Sequence, residues 1–302
     1  MRVLVTGARG FLGQHLTRAL LDRGDEVVGL WLDSTPEIHR LLAGVQGDVC
    51  DQRLMERVLS EYEIDTVYHL AARAQVSAGA ADPGGAIATN VLGTLSVLEA
   101  ARRMKTRRVV VASTDKVYGE QPGSYTEDTP LAERNPYGAS KACADIVAQT
   151  YINAYHMSIG TTRCGNLYGP GHRNYSPLIP GTIRQFLRGE RPVVRFGGKA
   201  TRDFLFVEDA VRAYLALGDS TVPGPFNFSG EQPREILDVV QRIAKLLDKN
   251  AAHYDIEEGG TGEICKQSLD CSKAERVLGW EPTVDFDAGL FLTVKWYKEN
   301  LR

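Results

Sequence analysis

Sulfur is scarce in this chain: 302 residues hold 5 Cys and 4 Met. Cys50, Cys143, Cys164, Cys265 and Cys271 are odd in number, widely spaced and form no Cys-x-x-Cys, which argues against a disulfide scaffold or zinc ligation. Reduced thiols in a cytoplasmic protein are expected, with Cys143 and Cys164 as small buried hydrophobes, and no metal site is expected. Long apolar runs are also absent. No stretch approaches the ~18 uncharged apolar residues of a membrane-crossing helix. The strand-like Arg2-Val3-Leu4-Val5-Thr6 stands at the start of the sequence, so no export signal is expected. An excess of one charge is missing too. With 35 Lys plus Arg against 38 Asp plus Glu, the net charge is −3, so neither nucleic acid nor an anionic membrane is expected as a partner. Any anion site has to be built locally.

What the first half does contain is a regular alternation of β-branched runs with helical patterns, the signature of parallel βαβ units. Strands are predicted at 2–6, 26–31, 44–47, 65–70, 108–113 and 159–164, and helices at 11–23, 52–61, 84–104 and 137–156. The fold class is therefore α/β, a doubly wound parallel sheet of the Rossmann type. Between Gly165 and Gly181 Gly and Pro become frequent and the alternation is lost. Beyond it Phe226-Asn227-Phe228 reads as a strand returning to the first sheet, 234–248 as a helix opened by Pro233, and 285–299 as a terminal helix. The expected organisation is a nucleotide-binding domain over 1–170, rejoined by 203–232, and a smaller α+β substrate lobe over 171–202 and 233–302.

Thr6-Gly7-Ala8-Arg9-Gly10-Phe11-Leu12-Gly13 follows the first strand and opens the first helix. Glycines at this spacing allow a tight turn and close approach of a pyrophosphate, whose charge is favoured by the free N–H groups of a helix start. An acid at the end of the second strand would bind the adenosine ribose, and Asp33 stands nearest, though it also suits a turn before Ser34-Thr35-Pro36. With no Arg read beside it for a 2′-phosphate, NAD is preferred over NADP. Asp48, before Val49, ends the third strand, where it suits either an adenine contact or a cap or turn.

Ser113-Thr114-Asp115-Lys116-Val117-Tyr118-Gly119 ends the fifth strand, and Pro136-Tyr137-Gly138-Ala139-Ser140-Lys141 opens a helix for which Asn135 is the candidate N-cap. Tyr137 and Lys141, four apart, become neighbours on one helix face. A phenol of pKa ~10 is a poor base at neutral pH, and a nearby ammonium favours its phenolate.

These ordered motifs, with Leu70-Ala71-Ala72, Asn90-Val91-Leu92-Gly93-Thr94, Gly165-Asn166-Leu167-Tyr168-Gly169-Pro170, Thr201-Arg202-Asp203-Phe204 and Leu278-Gly279-Trp280-Glu281-Pro282, resemble the extended short-chain dehydrogenase/reductases of the nucleotide-sugar epimerase/dehydratase family. The resemblance implies a catalytic trio of Thr114, Tyr137 and Lys141. It implies a cofactor site of Gly7, Gly10, Phe11, Leu12, Gly13, Asp33, Asp48, Val49, Leu70, Ala71, Ala72, Asn90, Tyr137 and Lys141, filled by NAD. Asn166 and Arg202 match positions that contact a sugar diphosphate; Arg202 could instead pair with Asp203 or Glu208. Arg195 falls where the family places the nucleotide-base pocket. Relatives often carry an Arg-Pro-Gly-Glu/Asp run where this chain has Gly260-Thr261-Gly262-Glu263, which leaves Arg276 or Arg184 as substitute phosphate ligands. Homodimers in the family form through the counterparts of helices 84–104 and 137–156.

Asp115 and Lys116 decide the expected reaction. Family 4-epimerases carry small or uncharged residues there, whereas Thr-Asp followed by Glu or Lys resembles the 4,6-dehydratases, which must also remove the C5 proton and expel the C6 hydroxyl. Burial would have to keep Asp115 protonated and Lys116 partly neutral; a plain salt bridge is the competing reading. The Thr-Asp-Lys form resembles CDP-glucose dehydratases and some UDP-N-acetylglucosamine ones more than the dTDP-glucose type, which carries Glu. The expected function is an NDP-hexose 4,6-dehydratase, with a 4-epimerase as the alternative.

Overall fold

The computed structural model describes residues 1–33, 41–74, 76–258 and 265–301. The Ser34-Thr35-Pro36 turn and the Gly260-Thr261-Gly262-Glu263 segment lie outside these residues. Parallel strands β1 (Arg2–Thr6), β2 (Glu26–Trp31), β3 (Ala43–Gln46), β4 (Thr66–His69), β5 (Arg108–Ala112) and β6 (Ile159–Cys164) join strand Gly224–Phe228 in one sheet. Its order is Gly224–Phe228, β6, β5, β4, β1, β2, β3. The reversal beside β1 is that of a doubly wound sheet, whose ligand crevice lies at the carboxyl ends of the strands.

Alternation along each strand feeds two apolar layers. Val3 and Val5 face helix α1 (Phe11–Asp22) and helix Val207–Asp219, joining Leu16, Leu20, Tyr214 and Leu217. Leu4 faces the other way, with Val28, Met55 of α2 (Gln52–Glu61), Leu98 and Ala148. Trp280 seals one edge, edge-on to Phe228 at 4.8 Å, its indole N–H donating to the Asp209 carbonyl at 3.2 Å. A third apolar cluster joins Ile183, Phe186, Phe204, Ile243 and Leu290 from helices Leu178–Leu187, Ile236–Leu246 and Phe286–Asn300. Strands Asn166–Tyr168 and Phe204–Phe206 pair in parallel beside it; at three residues each, they are too short to show an alternating pattern.

Three expectations need correction. The predicted helix 84–104 is interrupted. An α-helical turn Pro83–Ile87, capped by Asp82, passes through a π-turn Ala88–Leu92 into helix Gly93–Arg103. The π-turn carries Asn90, whose amide is tied to a neighbouring loop; such bulges recur at functional sites. The helix predicted from 234 begins at Ile236, because Arg234–Glu235 pair antiparallel with Thr201–Arg202 and Ile236 N–H donates to the Ala200 carbonyl. Cys143 is exposed rather than buried, while Cys164 lies in the core. Among the described residues no helix is long and apolar enough to cross a membrane.

Candidate active site

The glycine turn is dictated by backbone contacts. Gly7 has φ of 68°, and a Cβ there would come within 2.9 Å of Ala71 N. A Cβ on Gly13 would stand 2.2 Å from the Gly7 carbonyl oxygen, so only glycine lets α1 start this close to β1. Gly10, the N-cap, is exposed and offers no side-chain cap, leaving N–H groups of Phe11 and Leu12 to point out of the helix start. This open, glycine-walled cradle at a helix N-terminus fits a dinucleotide pyrophosphate.

Beneath the turn, a buried chain of side chains fixes Leu70 and Ala71. Thr6 Oγ1 accepts from the N–H groups of both at 3.1 Å and lies 2.8 Å from His69 Nδ1. His69 Nε2 lies 3.1 Å from Thr94 Oγ1, which donates to the Asn90 carbonyl. Since the Thr94 proton is committed, His69 must donate from Nε2 and accept at Nδ1, the neutral tautomer. Burial, helped by the Lys141 charge, pushes His69 down to about 3. Asn90 accepts from Arg73 N–H at 2.8 Å and donates to Ser140 Oγ at 2.8 Å. It braces the loop after β4 against the helix that carries Tyr137.

At the adenosine end, Val49 is buried and Asp48 is exposed, accepting from Cys50 N–H in a turn; the N-cap of α2 is Asp51. Asp33 is exposed after β2. The sequence reading that no Arg stands beside Asp33 is wrong in space. Arg9, from the glycine turn, lays its guanidinium 3.6 Å over the Trp31 ring and brings Nη1 within 3.6 Å of Asp33 Oδ1. Sequence distance concealed this neighbour.

Tyr137 and Lys141 lie on helix Pro136–Tyr155, whose start is fixed by Asn135 accepting from Gly138 N–H, with Pro136 in the first turn. Both are buried. Lys141 Nζ donates to the Ala112 carbonyl of β5 at 2.6 Å, and burial pushes it down to about 8. Burial drives Tyr137 the other way, up to about 12, with Thr114 pulling it down and the Asp115 charge pushing it up. The expected help from an ammonium is not among the influences on Tyr137, where desolvation dominates. Thr114 donates to Asp115 Oδ1 at 3.0 Å and accepts from Lys116 N–H at 3.3 Å. Lys116 Nζ lies 3.1 and 3.0 Å from the two Asp115 carboxylate oxygens, with side-chain exposures of 16% and 2% respectively. Gln267, which the sequence reading missed for want of any motif around it, caps this pair.

The candidate substrate contacts are more dispersed. Asn166 donates to the Asp203 carbonyl at 2.9 Å, Arg202 donates to the Thr201 carbonyl at 2.8 Å, and Arg195 is exposed. Asp203 is buried and accepts from Leu269 N–H at 2.6 Å. Arg184 stacks over Tyr175 at 4.5 Å, and Arg276 is exposed on helix Ser272–Leu278, which packs beside strand Gly224–Phe228. Among the described residues no cluster of His, Cys, Asp or Glu could hold a metal ion.

With the glycine cradle, the Thr114–Tyr137–Lys141 trio and a doubly wound sheet in place, the comparisons with known proteins become decisive. A family described as "NAD dependent epimerase/dehydratase family" matches residues 3–249. The chain belongs to this epimerase/dehydratase family. It is 37% identical to the dTDP-glucose 4,6-dehydratase of Xanthomonas campestris pv. campestris strain B100, over 98% of this chain and 93% of that protein. It is 34% identical to the dTDP-glucose 4,6-dehydratase of Neisseria gonorrhoeae, over 99% of this chain and 96% of the other. Among solved structures, the dTDP-glucose 4,6-dehydratase DesIV from Streptomyces venezuelae, with NAD bound, superposes with a TM-score of 0.92 at 33% identity, covering 99% of this chain and 98% of that one. The UDP-glucose 4-epimerase of Thermotoga maritima with UDP-glucose reaches 0.94 at 27% identity, covering 100% of both. Both reactions of the family are therefore present among its structural neighbours. The three dehydratases named here are dTDP-glucose enzymes, where the Thr-Asp-Lys form resembles CDP-glucose and some UDP-N-acetylglucosamine dehydratases more.

Proposed function

We propose that this family member is an NAD-dependent NDP-hexose 4,6-dehydratase that converts an NDP-glucose into the 4-keto-6-deoxy sugar. The observation that carries the reading is the buried Asp115–Lys116 pair set directly after Thr114. A 4-epimerase has no use for an acid and a base beyond the Tyr-Lys pair, because it only removes and returns hydrogen at C4. Elimination across C5 and C6 needs both.

The pair holds one transferable proton. Moving it from Lys116 Nζ to Asp115 across 3.0 Å turns an ion pair into a neutral acid beside a neutral amine without changing the net charge of the site. Tyr137 takes the proton of the C4 hydroxyl, with Thr114 beside it. NAD, when bound, supplies the hydride acceptor for C4, the later donor for C6 and a positive ring that favours the Tyr137 phenolate. With C4 a ketone, C5 is acidified. The Lys116 amine takes the C5 proton, the C6–O bond breaks, and Asp115 protonates the departing hydroxyl, which leaves as water with a C5–C6 double bond behind. Lys116 and Asp115 end as the ion pair seen in the structure. Lys116 then returns a proton to C5 as C6 is reduced, and the proton that Tyr137 took from the C4 hydroxyl passes through solvent to Lys116, which restores the phenolate and the ion pair for the next turnover.

In this account residues 1–170 and 203–232 hold the dinucleotide, and 171–202 and 233–302 the nucleotide sugar, with Arg202, Asn166 and Arg195 as candidate contacts. We infer a homodimer, supported by Leu92, Leu95, Ile146 and Tyr155, apolar side chains exposed on or beside helices Gly93–Arg103 and Pro136–Tyr155. The structural likeness to UDP-glucose 4-epimerase keeps epimerisation as the second reading. Asp115→Asn separates the two: a dehydratase should still oxidise C4 but stall before water leaves, whereas an epimerase should turn over at close to the parental rate.

A further inference from the structure

The segment that closes over Lys116 comes from the far end of the chain. Gln267 is 1% exposed, and its Oε1 accepts from Lys116 Nζ at 2.5 Å. Its own amide lies 3.4 Å from the Asp115 carbonyl. The backbone around it is pinned on two sides. Thr201 N–H donates to the Cys265 carbonyl and Gln267 N–H to the Thr201 carbonyl, while Tyr125 N–H donates to the Ser268 carbonyl and Asp270 N–H to the Tyr125 carbonyl. Leu269 N–H is held by Asp203. Gln267 therefore reaches the pair from a fixed point, next in the backbone ladder to Arg202.

A primary ammonium has three N–H donors, and here three oxygens accept them, two from Asp115 and one from Gln267. Without the third acceptor, the four-carbon stem of Lys116 is free to carry Nζ off the carboxylate. The chemistry of an amide suits this place. A carboxylate at Gln267 would hold the ammonium proton by full charge, whereas a neutral carbonyl oxygen holds it less strongly and still accepts from the amine left after proton transfer.

We propose that Gln267 is the positioning residue of the elimination step, holding Lys116 Nζ against Asp115 in both protonation states and taking no part in C4 oxidation. The inference rests on the dehydratase reading, and its test keeps the two apart. Parent, Gln267→Leu and Gln267→Glu are offered the dTDP-, CDP-, GDP- and UDP- forms of two sugars. The 4-keto-6-deoxyglucose forms in D2O report C5 proton exchange by NMR. The 6-deoxyglucose forms, which lack a leaving group, report C4 oxidation by reduced-nicotinamide absorbance. Gln267→Leu should slow C5 exchange by about tenfold or more and leave C4 oxidation within about twofold. Gln267→Glu, which keeps the side chain's size, should raise the pH midpoint of C5 exchange by about one unit. Parallel loss of both activities in Gln267→Leu, no loss of exchange, or an unmoved midpoint in Gln267→Glu would overturn the assignment, and the Glu variant alone decides if the Leu variant does not fold. A parent that forms no 6-deoxy product from any NDP-glucose would instead overturn the dehydratase reading itself.

Discussion

Replacing Tyr137 by Phe removes the only oxygen of its side chain. C4 oxidation should fall by about a thousandfold or more, as measured by single-turnover nicotinamide absorbance, with nucleotide-sugar affinity little changed. Asp33 tests cofactor choice. Its carboxylate and the Arg9 guanidinium stand 3.6 Å apart, so Asp33→Asn should remove the negative charge that opposes a 2′-phosphate and raise NADP affinity relative to NAD by about tenfold in a binding titration. A third residue has a pH signature. His69 titrates near 6.5 when unfolded and is pushed down to about 3 by burial. The unfolded chain therefore binds the extra proton first, and the stability His69 contributes is complete above about 6.5 and is lost as pH falls towards 3. Asp203 works against it, because burial pushes its carboxyl up to about 6 from 3.8; its protonated form stabilises the fold below 3.8 and the effect is lost as pH rises through about 6. Denaturant titration should show a shallower acid slope for His69→Asn than for the parent, and equal slopes would contradict the neutral-tautomer network. Tyr137, Lys141 and Asp115 were legible in the sequence because their spacing is local to one helix and one strand end. Arg9 beside Asp33 was not, since the contact depends on how the glycine turn folds over Trp31.

The first βα unit shows how one element serves fold and site at once. A Cβ on Gly13 would meet backbone atoms of Gly7 and Ala8 at 2.2 and 2.9 Å, and backbone cannot swing aside. Gly13→Ala should lower stability by about 3 kcal/mol or more in chemical denaturation. At Gly10 the nearest atom to an added Cβ is a single carbonyl oxygen at 3.1 Å, so Gly10→Ala should mostly spare stability and weaken NAD binding instead. Equal effects from both substitutions would contradict this division. Most strands of the first half were readable because they are buried runs rich in β-branched residues flanked by turn residues, whereas β3, Ala43–Gln46, is only partly buried. The π-turn at Asn90 was not, because a helix that admits one extra residue keeps its composition, and the reason for the bulge lies in the loop after β4 that Asn90 braces. Likewise Arg234–Glu235 look helical in sequence and become strand because Thr201–Arg202 offer them a partner.

At the scale of the whole molecule, a net charge of −3 says little about the site, where Lys116 is paired with Asp115 and Lys141 is buried against the Ala112 carbonyl. The late segment around Gln267 returns across 151 residues to meet Lys116, a closure no local pattern announces. Exposed Ile146 gives the proposed dimer a direct check. Ile146→Glu should convert a dimeric species into a monomer in analytical ultracentrifugation while the far-ultraviolet circular dichroism stays unchanged, and a dimer that survives the substitution would contradict an interface through this helix. Beyond assembly, what defines the reaction is the chemistry at C6. The measurement that tests it most directly is mass spectrometry of the nucleotide sugar after incubation of the NAD-loaded protein with dTDP-, CDP-, GDP- and UDP-glucose. One of these should lose the mass of a single water; turnover to an epimer of unchanged mass would contradict 4,6-dehydration.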